Sequence, residues 1–162
     1  MSATHFSGPL VVGDTITASG SVTVTGDITA SGLVSQGTGS VEALVAATTL
    51  TSADNGKVLF LNHATGFATT LPAPAAGLRF KFVVTTQPTT GNDTIVTNGG
   101  DNVIEGMADV NSTLVLAANE DSINIVASTA IVGDWVEVVS DGTSWFVNGA
   151  SGAAGGITFT AT

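Results

Sequence analysis

The chain has 162 residues, with 3 basic against 13 acidic side chains, a net charge of −10, 43% hydrophobic residues and no cysteine. That charge works against binding phosphate backbones, and the missing thiols remove disulfides, thiolate nucleophiles and thiolate metal sites, leaving His5 and His63 as the only imidazoles. Mean hydropathy is +0.44, yet Thr, Ser and Gly chop the apolar residues into runs too short to span a bilayer, and the first residues show no basic segment followed by an apolar one, so neither nucleic acid, membrane nor secretion is expected.

Residues 1–40 differ from the rest. Gly8, Gly20 and Gly32 recur at a period of 12, and within the repeat Ile16 aligns with Ile28, Ala18 with Ala30 and Ser19 with Ser31. Each unit reads as a pair of short strands around a Gly turn, unable to bury its apolar face alone. Leu10, Val12, Ile16, Val22, Val24 and Ile28 form a stripe that alternates with Thr, and His5 and Phe6 precede it. The expectation is a homo-oligomeric β stalk in which three chains each give one stripe to a shared core; the alternative is a flexible Gly/Ser/Thr arm. Residues 35–40, a run of Ser, Gln, Gly and Thr, mark the boundary with a head over residues 41–150.

In the head, residues 42–47 have some helix propensity but are too short for a helix and read as strand or turn. Residues 52–56 predict a turn or a single helical turn that Ser52 or Asp54 could cap, and residues 58–61 read as a buried strand. A second strand over 67–71 runs into a turn with two prolines that ends at Gly77. Residues 78–86 alternate cleanly, with Leu78, Phe80, Phe82 and Val84 on one face and Arg79, Lys81 and Val83 on the other. Short strands are expected at 94–97 and 103–104 around a turn at 98–102, followed by strands at 110–118 and 122–128.

Residues 132–149 carry both tryptophans, and Asp141-Gly142 separates two runs rich in Val, Trp and Phe, so this segment predicts a hairpin. Trp135, Glu137 and Val139 share one face of its first strand, with Glu137 marking the wetter side; Val136 and Val138 share the other. Residues 151–162 form a last short strand or an arm docked on a neighbour. The fold class is all-β: a sandwich or barrel-like head of about nine to eleven short strands behind an N-terminal Gly-repeat stalk or arm.

No constellation of residues points to catalysis. There is no Gly-x-Ser-x-Gly elbow, His63 reads as a loop residue, and Glu120 and Asp121 are adjacent and therefore face opposite sides of an extended chain. The units beginning at Gly91 and Gly100 share the nine-residue spacing of calcium-binding β-rolls, but two units cannot complete the stacked ligand shells of such rolls. The expectation is a protein with no enzymatic activity, cofactor or metal. Lys57, Arg79 and Lys81 are the only cations, and nine acids from Asp93 to Asp141 follow them with no basic residue after. The cations either mark a contact with an acidic partner or a neighbouring subunit, or lie in a solvated surface.

Three segments, residues 50–62, 70–82 and 132–149, resemble a domain of tailed-bacteriophage virion proteins, and the opening Met-Ser-Ala-Thr-His-Phe-Ser-Gly-Pro is similar to the start of phage capsid and head-decoration proteins. The resemblance implies a decoration (cement) protein, trimeric, made in the bacterial cytoplasm, seated on the capsid exterior and clamping neighbouring copies of the major capsid protein. A head or tail fibre domain that binds host surface carbohydrate is the alternative the resemblance allows. The capsid contact is expected in the N-terminal arm, whose apolar stripe needs a partner.

Overall fold

The computed structural model describes residues 40–161. The repeat arm, with its expected stalk and three-chain core, lies outside the described residues. Among those described, twelve strands and one 3-10 turn (Ser52–Asp54) make up the regular structure: β1 (Val41–Leu44), β2 (Thr48–Thr49), β3 (Val58–Asn62), β4 (Ala68–Thr70), β5 (Arg79–Thr86), β6 (Asp93–Val96), β7 (Ile104–Val110), β8 (Thr113–Glu120), β9 (Ser122–Ile125), β10 (Trp135–Ser140), β11 (Trp145–Ser151) and β12 (Ile157–Thr160). The all-β class expected from the spacing of apolar runs and turn residues is the class observed.

Two mixed sheets share one core. The larger has the order β1-β3-β5-β10-β11-β7-β8 and the smaller β12-β9-β6-β4-β2. From β1 to β6 the chain changes sheet at every strand, so β3 returns beside β1, β5 beside β3, β4 beside β2 and β6 beside β4, each pair parallel. A parallel pair needs a long crossover, commonly a helix. Here a strand of the opposite sheet serves as the crossover, which explains how a chain without helix-length amphipathic segments pairs its strands in parallel. Beyond β6 the antiparallel pairs β7-β8 and β10-β11 enter the larger sheet and β9-β12 the smaller.

Alternation decides what each strand buries. Phe80, Phe82 and Val84 of β5, Val136 and Val138 of β10 and Trp145 and Val147 of β11 point inward against Ile95, Ile123, Ile125 and Ile157 of the smaller sheet. Trp145 packs on Phe80 with ring centroids 5.7 Å apart. Burying a side chain of that size removes about 200 Å2 from water and contributes up to about 5 kcal/mol, partly offset because its buried indole N–H has no hydrogen-bond partner. Gly149, inward-facing at the middle of β11, is required by close approach: a Cβ there would lie 2.7 Å from both the Trp135 carbonyl oxygen and Val136 Cγ1.

Several elements differ from expectation for identifiable reasons. Residues 110–118 are not one strand: β7 ends at Val110, and Asn111 and Ser112, with φ of 51° and 65°, form a two-residue hairpin turn into β8. The short strand expected at 103–104 is the start of the seven-residue β7, which Gly106 interrupts with a bulge at φ 130°. Residues 58–61 are not buried on both sides; Leu59 and Leu61 are inward, Val58 and Phe60 half-exposed outward. The β10-β11 hairpin forms as expected but closes over four residues, with Gly142 at φ 106° and Asp141 Oδ1 accepting from the N–H groups of Thr143 (2.8 Å) and Ser144 (2.9 Å). Residues 42–44 belong to a strand. In the 3-10 turn the cap comes from Asp54, whose carboxylate accepts from Thr51 N–H at 2.8 Å, with no such bond from Ser52. The C-terminal segment is a strand of its own molecule, paired with β9.

Candidate functional site

The outward face of the larger sheet is the surface this topology builds with least regard for solvent. Pairing registers align its side chains in three rows across the strands. One row holds Arg79, Val139, Phe146 and Glu105 on β5, β10, β11 and β7. The next holds Val58, Lys81, Glu137, Asn148, Met107 and Leu116, from β3 to β8. The third holds Phe60, Val83, Trp135, Ala150, Asp109 and Leu114. Antiparallel sheets usually alternate apolar-in with polar-out. In this sheet the outward positions are also largely apolar: Met107, Leu114, Leu116, Val139 and Phe146 are 44%, 63%, 66%, 41% and 48% exposed.

Charge on this face is divided across its width. On the β5-β10 side Arg79 pairs with Glu137, which lies diagonally across the strands, opposite Lys81. Lys81 Nζ lies 4.6 Å above the Trp135 ring centroid, a cation–π contact, and forms no salt bridge among the described residues. On the other side β7 contributes Glu105 and Asp109, and neither β7 nor β8 contains a basic residue.

The structure thus brings together two of the three cations singled out in the sequence, Arg79 and Lys81. It separates Lys57, whose Nζ binds Asp54 Oδ1 at 2.6 Å and Glu42 Oε2 at 2.7 Å; these bonds hold the lysine above and Asp54 below their usual pKa values. Lys57 is engaged in local structure. The other candidate contacts, His5, Phe6, Leu10, Val12, Ile16, Val22, Val24 and Ile28, lie outside the described residues. Sequence reasoning missed the outward apolar residues of β7, β8 and β11; it placed Trp135 and Val139 on the wetter side of β10 without counting them as a contact. For Leu114 and Leu116 the local pattern Thr-Leu-Val-Leu-Ala-Ala is apolar at both parities, so it does not reveal which side faces out.

Elsewhere the polar groups are tied into the scaffold. His63 sits in the loop after β3, its Nδ1 2.6 Å from Thr65 Oγ1. Asp134 is buried and accepts from Ile131 N–H, Ser151 Oγ and Gly152 N–H at 2.7–2.9 Å, fastening the start of β10 to the end of β11. Asp93, in the first of the two suspected calcium units, turns inward beside Ile95: its Oδ1 accepts from Phe67 N–H at 3.1 Å and its buried Oδ2 has no partner. Burial pushes its carboxyl up to about 6, against the opposing effects of the Phe67 N–H and nearby His63. Among the described residues no three His, Asp or Glu side chains gather as a metal site. A cleft of about 320 Å3 is lined by Val96, Thr97, Gly100, Asp121, Ser122 and Thr160.

Comparison with known proteins adds no name to this surface. No family model matches the chain, and no curated protein or solved structure is significantly similar to it. The reading therefore rests on the chemistry of the face. It presents a broad array of aliphatic and aromatic groups with charges at its sides, suited to lying against another protein surface.

Proposed function

We propose that the protein is a structural component of a bacteriophage particle: a decoration protein that sits on the exterior of the head, self-associates as a homotrimer and reinforces contacts between major capsid subunits. The observation that carries the assembly part of this reading is the outward face of the larger sheet. An exposed apolar array of this extent is unusual on a protein that works alone, and it fits one whose working state is covered by other subunits. The virion part is supported by the resemblance of residues 50–62, 70–82 and 132–149 to phage virion domains. In this reading the N-terminal arm makes the capsid contact.

The test is the copy number of the chain in purified particles, measured by quantitative mass spectrometry against the major capsid protein. A decoration protein is expected in a fixed, near-stoichiometric ratio to the capsid lattice. A handful of copies per particle would overturn the proposal and, together with binding on a glycan array, would assign the chain to a fibre that recognises host carbohydrate.

A further inference from the structure

We infer that the outward face of the larger sheet is a self-complementary interface: it binds the same face of a second copy of this chain about a two-fold axis running between β10 and β11, parallel to the strands. This goes beyond the virion reading, because it needs neither capsid nor arm.

The argument starts from the division of charge. A two-fold axis placed between β10 and β11 lays β10 of one copy on β11 of the other, β5 on β7 and β3 on β8, row on row. In the first row Val139 meets Phe146 of the second copy, and Arg79 meets its Glu105. In the second, Lys81 lies over Met107 of the second copy, within side-chain reach of Asp109 one row away, and the flanking apolar residues of β3 meet Leu114 and Leu116. An axis perpendicular to the strands would instead lay β5 on β5 and β7 on β7, gathering the cations of both copies on one side and the acids of both on the other. The pattern of charge thus selects one orientation of the pair.

The dimensions agree with this occupant. Two sheets pack face to face at about 10 Å with strands within about 30° of each other, and such a gap is filled by side chains of the sizes found here. The six strands that overlap, with β1 left outside, at about 4.8 Å each and three alternate residues of depth offer about 600 Å2, close to the roughly 800 Å2 per partner of a stable complex. Lys81 can contribute to such a contact because no carboxylate pairs with it within its own described chain, whereas Lys57 is already held by two.

The experiment uses the purified full chain in the absence of capsids. Light scattering should give a mass that is an even multiple of 16.0 kDa: two copies where the face alone associates, six where homotrimers also pair through their faces. Leu116→Lys places a charge beside Lys81 of the second copy and should halve that mass; Leu114→Ser, a milder change, should weaken association at least tenfold. Lys81→Glu and Asp109→Lys should each weaken it, and the two together should restore it, since the swapped charges face each other again. Because the chain has no cysteine, Asn148→Cys with a short bis-maleimide should join two copies at position 148. An odd-multiple mass, a mass unchanged by both Leu116→Lys and Leu114→Ser, or a double charge swap that fails to restore association would overturn the inference. So would a photoreactive maleimide label on the Asn148→Cys variant that crosslinks only to residues 1–39, which would assign the face to the arm. Loss of capsid binding by Leu116→Lys at unchanged mass would assign it to the capsid. Each of these results leaves the copy number per particle, and so the virion reading, to be decided separately.

Discussion

Both faces of the β10-β11 hairpin carry large apolar side chains, and these meet opposite fates. Inward, Val136, Val138, Trp145 and Val147 are buried; outward, Val139 and Phe146 remain about half exposed one residue away. Strand alternation assigns the sides, and the smaller sheet covers only one of them. Apolar character therefore reports that a side chain will be covered by something, while the fold of one chain decides whether its own body does the covering.

The strongest way to break this contrast is truncation at adjacent positions. Trp145→Ala should cost about 3–5 kcal/mol, since it removes the largest buried side chain and leaves a cavity against Phe80. Phe146→Ala, one residue along, should change the stability of the head by less than about 1 kcal/mol. Urea unfolding at a concentration where the protein is dissociated measures both, and equal losses would contradict the assignment of faces.

A smaller effect sharpens the description of the inner side. Asp93 has an ordinary pKa of 3.8 and is pushed up to about 6 in the fold, so between those values the native state holds a proton that the unfolded chain has released. Its contribution to stability is therefore largest below pH 4, falls as pH rises through 6 and stays low above. Asp93→Asn should remove that slope, matching the wild type near pH 4 and exceeding it at pH 7.5 by about 1–3 kcal/mol. Unfolding curves at the two pH values test it; a variant less stable at pH 7.5 would show that the carboxylate is needed. Smallest of all, Glu42→Gln should cost less than about 1 kcal/mol, because Lys57 keeps Asp54 and the pair is solvated. A thermal melt should show a shift of only a few degrees.

Much of this organisation is legible in the sequence, and its limits have physical reasons. The alternation of residues 78–86 identifies both the inward aromatics and the outward cations, because one side of that strand is polar at two of three positions. The β10-β11 hairpin is legible from Asp141-Gly142 and Glu137. The β7-β8 hairpin is hidden because Asn111-Ser112 lacks the glycine that usually marks two positive φ angles, and apolar residues on both faces mask the register of β8. The strand expected at 94–97 leaves out Asp93, although its spacing from Ile95 already puts the two on one side. The outward face escapes notice for a more general reason: it exists only once six strands spread from β3 to β11 along the sequence are aligned, and no local window contains it.

The winding of the first six strands bears on how the molecule comes into being. Every sheet neighbour formed within β1 to β6 is separated in sequence by a whole intervening strand of the other sheet, so no pair there can close locally. The β7-β8 and β10-β11 hairpins can close locally, and loop-closure entropy favours such contacts in the folding transition state. The chain is therefore expected to begin folding in its second half and to wind its first half onto that template. Val147→Ala should then slow folding while Leu59→Ala mainly speeds unfolding, a difference stopped-flow kinetics would show. Synthesis presents the halves in the opposite order: the coil of early strands leaves the ribosome before the template it needs has been made.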